Sequence, residues 1–254
     1  MKKERATYVY CLVAARTRPR LTRVPPGLPG TGPVRLLDVE PDRYLVVADA
    51  PLARYGEAAI RRGLSNLTWV SRVAWMHEAV VEHFIDAPAV LPMKLFTLFT
   101  SDDRALTHLR GEWRRVESTV KRLNDHQEWG VRVVLGAAPL SPTAATARSR
   151  VSSGASYLKQ KKAQRDSAAE RVRRARASVA GLYHRLARQS GAARRRSGAD
   201  LPARGGPVLL DAAFLVSRPQ SRSFRQIVAR ESRALARHGY ALTVTGPWPP
   251  YSFV

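Results

Sequence analysis

Read along the chain, the apolar positions change their spacing in a way that marks out two successive mixtures of strand and helix. The stretch YVYCLVAA (8–15) is rich in β-branched and aromatic residues and predicts a strand. TRPRLTRVPPGLPGTGPV follows, a loop by its five prolines and three glycines. VRLLDVE and RYLVVADAP predict two more strands, with EPD as the turn between them. From Ser65 the period changes: Leu67, Val70, Val73, Ala74, His77, Val80, Val81 and Phe84 recur at three- and four-residue steps, one face of a helix. DAPAVLPMKLFTLFT breaks that period with its prolines and gives way to a short buried run, a further strand. SDD then supplies a helix cap and an acidic first turn. Leu106, Leu109, Trp113, Val116, Val120 and Leu123 keep a 3-4-3-4-3 rhythm, which predicts one helix of about three heptads packed on a neighbour.

A second unit is expected to begin near Asp125, dividing the chain into domains of residues 1–125 and 126–254. EWGVRVVL predicts its first strand. The Arg/Ala-rich stretch from about Ser156 to Gln189 predicts a long helix whose second half carries the stripe Val172, Ala175, Val179, Leu182 and Leu186. SGAARRRSGADLPARGG reads as a flexible loop and PVLLDAAFLVS as a buried strand. SRSFRQIVARESRALARHG predicts a helix with a capping box from Ser223 to Gln226 and Gly239 at its end. YALTVT is the last strand. The order β-α-β-α-β suits a ferredoxin-like sandwich, because right-handed crossovers place both helices on one face of the sheet. The expected fold class is therefore α+β, in two domains, the second ferredoxin-like.

Composition alters this picture mainly through charge. An apolar fraction of 44% describes a chain able to bury a core, and no window approaches the roughly 18 consecutive apolar residues of a membrane span. The opening MKKERATYVYCLVAA has a basic start and an apolar stretch. That stretch is short, Glu4 interrupts the basic part, and RTRPR suits a cleavage site poorly, so a cytoplasmic protein without membrane contact is expected. The single cysteine, Cys11, can form neither an internal disulfide nor a cysteine metal cluster. Forty-three Lys and Arg against 20 Asp and Glu give a net charge of +23, which raises nucleic acid or an acidic partner. Residues 148–196 hold 15 of those basic residues against only Asp166 and Glu170. Arg outnumbers Lys by 36 to 7 and Ala is plentiful, a pattern that GC-rich coding alone produces, so the sign of the charge is weaker evidence than its location. On the predicted helix, Lys159, Lys161, Lys162, Arg171, Arg173, Arg174 and Arg176 are the candidate partner-binding residues. SYLKQKKAQRD carries little apolar stripe, so this half of the helix is either solvated or covered by an acidic partner. The segment has only Tyr157 and Tyr183 as aromatics, a poor platform for stacked bases. Charge-driven nucleic-acid binding is thus the alternative function.

HEAVVEH (77–83) is the nearest approach to a catalytic motif. A zinc protease needs two histidines four apart on one helix face, but position 81 is Val81 and His83 lies on another face. His77 falls within the apolar stripe, the place of a buried histidine with one backbone or carboxylate partner. Gly-x-Ser-x-Gly, Walker and dinucleotide patterns are absent, and a strand-buried Cys11 has no activating neighbour. No catalytic, cofactor-binding or metal-ligating residue is nominated. An enzyme centred on His77 and Glu78 stands as a third reading.

The last ten residues, TGPWPPYSFV, are stiff and apolar. Pro247, Pro249 and Pro250 lack amide donors and forbid helix or central strand, so the segment is expected to run extended. Burying Trp248, Tyr251 and Phe253 would offset the cost of ordering it. The expectation is a strap docked on its own protein, closing a groove between the two domains, since an exposed aromatic end invites aggregation; docking on a partner is the alternative.

These blocks together carry a resemblance. YVYCLV, HEAVVE followed by VLPMKLFTLF, EWGVRV, GASYLKQK before DAAFLV, and TGPWPPYSFV resemble, in order and over almost the whole chain, the gas vesicle protein family GvpL/GvpF; the ending and the EWGV block are the most specific. The family commonly has Arg-Phe-Gly-Thr after Leu-Pro-Met, where this chain has Lys94, Leu95, Phe96 and Thr97, so a glycine that would allow close backbone contact is missing. The resemblance implies an accessory protein of gas vesicles, the hollow protein-walled organelles that give cells buoyancy. It implies a non-enzymatic, cofactor-free role in nucleating or assembling the shell, with the small hydrophobic shell protein and other accessory proteins as partners. It also implies two α+β domains with a ferredoxin-like element, and the tail packed against the body.

Overall fold

The computed structural model describes residues 5–136, 154–196 and 206–254. It is an α+β protein with two sheets, and the chain divides into one unit of residues 1–128 with 247–254 and another of residues 129–246. No described helix is long and apolar enough to cross a membrane.

In the first unit, β1 (Arg5–Ala14) is the spine. It pairs antiparallel with β3 (Arg43–Pro51), β4 (Ala89–Pro92) and the short β5 (Leu98–Phe99), while β2 (Arg35–Glu40) pairs with β3 on the far side. Residues 6–14 of β1 are all buried, because both sheet faces are covered. Tyr8, Tyr10, Cys11 and Val13 join Val46, Ala48 and Ala50 beneath α3 (Leu67–Glu82). Tyr10 and Cys11 share that face because the register skips one residue between Val9 and Cys11, a bulge that resets the alternation. On the opposite face Val9, Leu45 and Leu91 meet Ala105 and Leu109 of α4 (Asp102–Gly111) and Val116 of α5 (Trp113–Leu123). Arg35 clamps the start of α4 to the sheet, donating to Asp102 at 2.8 and 2.9 Å and to Asp49 at 2.6 Å, while the Thr7 hydroxyl donates to Asp102 at 2.7 Å.

Several elements differ from their sequence-based forms. Two short helices, α1 (Leu52–Tyr55) and α2 (Glu57–Gly63), precede α3. Leu67, placed by periodicity on the buried stripe, is exposed at the first turn of α3, whereas Val73, His77, Val80 and Val81 are buried. The single three-heptad helix is two helices, broken at Gly111 and Glu112; the rhythm of Leu106 to Leu123 survives because both pieces cover the same sheet face.

The second unit runs in the order β-α-β-β-α-β: β6 (His126–Leu135, whose first three residues belong to the first unit), α6 (Gly154–Ala187), β7 (Ala192–Arg195), β8 (Val208–Ser217), α7 (Ser221–Ala236) and β9 (Tyr240–Trp248). Its strands lie in the order β7-β8-β6-β9. Trp129, Val131, Leu210, Ala212 and Phe214 of the sheet pack against Val179, Leu182 and Leu186 of α6 and Phe224 and Val228 of α7. Ala175, Val179, Leu182 and Leu186 are buried and Val172 half-buried, so the predicted stripe is the packing face. β7 lies in the stretch read as a flexible loop; its Arg-rich sequence conceals an edge strand whose charges face solvent. Residues 197–205 of that stretch lie outside the described residues. The predicted capping box at Ser223 does not form: α7 begins at Ser221, entered through a 3-10 turn at Arg218–Gln220, without a side-chain cap.

Candidate interaction site

His77 is 3% exposed and stands between two tyrosines, stacked on Tyr10 with ring centroids 5.5 Å apart. Its Nε2 is 3.2 Å from the Met93 carbonyl, and its Nδ1 is 2.8 Å from the Tyr8 hydroxyl, which accepts in turn from the Phe96 amide. A carbonyl only accepts, so Nε2 carries the proton and Nδ1 accepts from Tyr8. Burial lowers the His77 pKa to about 4, against the weaker upward pull of the Met93 carbonyl. The ring is a neutral core group. Glu78, the adjacent residue, is exposed, and the two do not converge. Among the described residues, no group of three or more His, Cys, Asp or Glu side chains could hold a metal ion.

The closing segment is anchored by both bonds and apolar contacts. Glu128, 2% exposed, accepts from the Ser252 amide at 2.7 Å and from its hydroxyl at 2.8 Å. Arg122 of α5 donates to the Phe253 carbonyl at 2.6 Å. Pro249, Pro250 and Phe253 are buried, and Tyr251 packs on the core beneath α3. The Tyr251 hydroxyl is buried without a partner, and its pKa is raised chiefly by burial and then by the Glu78 charge. Two expectations need correction. Trp248 is 37% exposed and Pro247 is exposed, both at the end of β9, an edge strand that tolerates proline. Residues 251–253 form a 3-10 turn instead of running extended, which brings the Ser252 amide and hydroxyl onto Glu128.

EWGV, one of the two most distinctive sequence blocks, thus meets the other, the tail. Its remaining residues have their own tasks. Trp129 lies in the core of the second unit, beneath the Arg225 guanidinium. A Cβ at Gly130 would stand 2.6 Å from the Thr245 hydroxyl of β9, so any other residue there requires that side chain to move aside.

Charge is unevenly divided. Residues 129–246 hold 23 Lys and Arg against five Asp and Glu, a net of +18, whereas the first unit holds 20 against 15. Along α6, every described side chain between Leu158 and Ala169 is exposed, Lys161, Lys162 and Arg165 among them. The helix is 34 residues long, about 51 Å at 1.5 Å per residue, and among its described side chains the buried stripe lies in the second half. Arg173 and Arg174 are exposed and paired with Glu170 at 2.8 and 3.0 Å. Arg176 is exposed near β7; the side chains of Lys159 and Arg171, and residues 148–153, lie outside the described residues.

Sequence reasoning missed a recess of about 370 Å³ where α6 meets β7 and β8, lined by Arg176, Arg195, Arg196 and Asp211 over Val179 and Leu210. Asp211 is 8% exposed and accepts from Arg132 at 2.5 and 3.1 Å, with Arg196 3.7 Å from its other oxygen. The Arg195 guanidinium lies 4.4 Å over the Tyr183 ring. The only signal in the sequence was the triplet of arginines, which reads equally well as loop. The first unit has different openings. A recess of about 750 Å³ is lined by Leu52, Ile60, Leu64, Phe96 and Leu98, and an apolar groove of about 340 Å³ lies under α4 and α5. Leu64, Leu67 and Trp75 are large apolar side chains left exposed nearby in the chain.

Comparison with known proteins agrees with this architecture. The chain is 32% identical to Gas vesicle protein L of Streptomyces sp. (strain CB03234) over 259 residues, covering 100% of this chain and 94% of that protein. It is 29% identical to Gas vesicle protein F of the same strain, covering 98% and 99%. The fold is similar to the crystal structures of GvpF from Anabaena sp. PCC7120 (TM-score 0.65, 15% identity, 98% of this chain and 95% of that one) and from Microcystis aeruginosa (TM-score 0.63, 12% identity, 98% of both). The model of the family described as gas vesicle synthesis protein GvpL/GvpF matches residues 6–254, and the chain belongs to that family.

Proposed function

We propose that the protein is a non-catalytic assembly factor of the cytoplasm that helps nucleate and build the gas vesicle shell by holding the shell protein and other accessory proteins. Family membership supplies the gas vesicle context. The observation that carries the reading is the segregation of surface chemistry between the two units. One is nearly balanced in charge and opens apolar recesses suited to a hydrophobic polypeptide; the other carries +18 and suits an acidic one. The protein is read as two domains divided near residue 125. The order β-α-β-β-α-β with strands β7-β8-β6-β9 supports the ferredoxin-like reading of the second. In this mechanism Pro249, Pro250, Tyr251 and Phe253 lock the first domain, while Lys159, Lys161, Lys162, Arg171, Arg173, Arg174 and Arg176 meet acidic faces of other vesicle proteins.

Pull-downs of the shell protein and of the neighbouring accessory proteins test this. Capture of an accessory partner weakens with added salt and when Arg171, Arg173, Arg174 and Arg176 are changed to Glu. Arg173 and Arg174 are exposed and their pairs with Glu170 are screened by solvent, so the fold tolerates changing them. Capture that ignores both salt and charge reversal removes the basic helix from the mechanism. Vesicle formation unaffected by deleting the gene refutes the function as a whole.

A further inference from the structure

We propose that the recess between α6 and β7 is a specific carboxylate site, which seats acidic side chains of a partner polypeptide. This rests on the acidic-partner reading above and gives it a location distinct from the projecting half of α6. Asp211 accepts from Arg132 and lies 3.7 Å from Arg196, and the lining sets Arg176, Arg195 and Arg196 against that one carboxylate, so the recess stays net positive for an incoming anion. Arg195 is held over the Tyr183 ring, which pre-orients its guanidinium and reduces the entropy lost on binding. Its backbone is fixed as well, since Arg195 pairs with Ala212 in the ladder and the next amide, Arg196, donates to the Asp211 carbonyl at 2.9 Å. Arg176 reaches the same recess from α6, while Val179, Ala180, Val208 and Leu210 supply apolar wall. Two guanidinium forks above an apolar wall fit a carboxylate on a short apolar stem, with bidentate, charge-assisted hydrogen bonds.

Nucleic acid fits less well. No aromatic is among the described residues that line the recess, and the Tyr183 ring is already covered by Arg195, so neither offers a base a stacking surface.

The test uses fluorescence anisotropy with the full chain and a labelled decapeptide of alternating Glu and Leu. Three variants are compared with the parent: Arg176→Gln with Arg195→Gln; Lys161→Gln with Lys162→Gln, which removes the same charge from the projecting half of α6; and Arg195→Lys, which keeps the charge but loses the planar fork. The recess pair is expected to weaken binding by about tenfold or more, the helix pair by less than about threefold, and the lysine variant several-fold. Equal weakening by the two charge-matched pairs, or full binding by the lysine variant, overturns the site and leaves diffuse attraction. Tighter binding of a random single-stranded DNA decamer, lost in the same recess variant, overturns the choice of ligand. Accessory-protein capture that survives the recess changes but fails with the helix changes sinks the site alone. Capture that survives both sinks the acidic-partner reading too.

Discussion

Acidification offers a direct reading of the core of the first unit through His77. The neutral ring bridges Tyr8 and the Met93 carbonyl, and burial holds its pKa at about 4, against about 6.5 when unfolded. The folded state therefore resists a proton that the unfolded chain accepts. Stability from this group is fully present above pH 6.5 and is lost as pH falls toward 4, because a second proton would sit on Nδ1 and displace the bond from Tyr8. A gap of about 2.5 pH units at about 1.4 kcal/mol each amounts to about 3.5 kcal/mol in full, of which about 3 kcal/mol is lost by pH 4, where half of the folded rings carry the second proton. Urea denaturation of the parent and of His77→Gln between pH 7.5 and pH 4 isolates this contribution, since carboxylates titrate alike in both. The variant is less stable at neutral pH, but the parent should lose about 3 kcal/mol more than the variant on acidification. Parallel pH profiles would show that the ring has access to water and that its placement as a neutral bridge is wrong.

Three further outcomes are expected. Removing residues 247–254 exposes the Phe253 and Tyr251 seats and frees Glu128, costing the first unit about 3–6 kcal/mol by urea denaturation, given about 1.5–3 kcal/mol for each large apolar side chain; an unchanged midpoint means the tail contributes nothing. Glu128→Ala removes the acceptor of both Ser252 donors and should cost about 3 kcal/mol, with increased proteolysis at the tail as a second readout. Phe96 has φ of +65° and stacks on Trp69 at 5.5 Å and 8°, so a bulky side chain holds a left-handed conformation that suits glycine. Phe96→Ala loses the stack and keeps the strain, whereas Phe96→Gly relieves it, so glycine should be the more stable by about 1 kcal/mol; the reverse order in thermal melting contradicts the strain argument.

That substitution also shows how far sequence reasoning reaches. The missing glycine was visible as a departure from the family pattern; the left-handed backbone and the compensating Trp69 were not, because a stacked pair 27 positions apart leaves no periodic trace.

Local pattern determined the strands β1, β3, β6 and β8, the packed stripe of α6, and the place of His77 within an apolar face. Those features follow from one element's alternation or pitch. The tertiary structure alone decided where the chain breaks at Gly111, that Arg-rich β7 is an edge strand, and that Leu67 faces solvent. It also decided that Glu128 would hold Ser252, across 124 positions, and that four arginines from three elements would gather around Asp211 and Tyr183. The reason is physical. A hydrophobic period records which side of a segment avoids water, but a buried charge is stable only beside partners supplied by other segments, and those partners are chosen by packing.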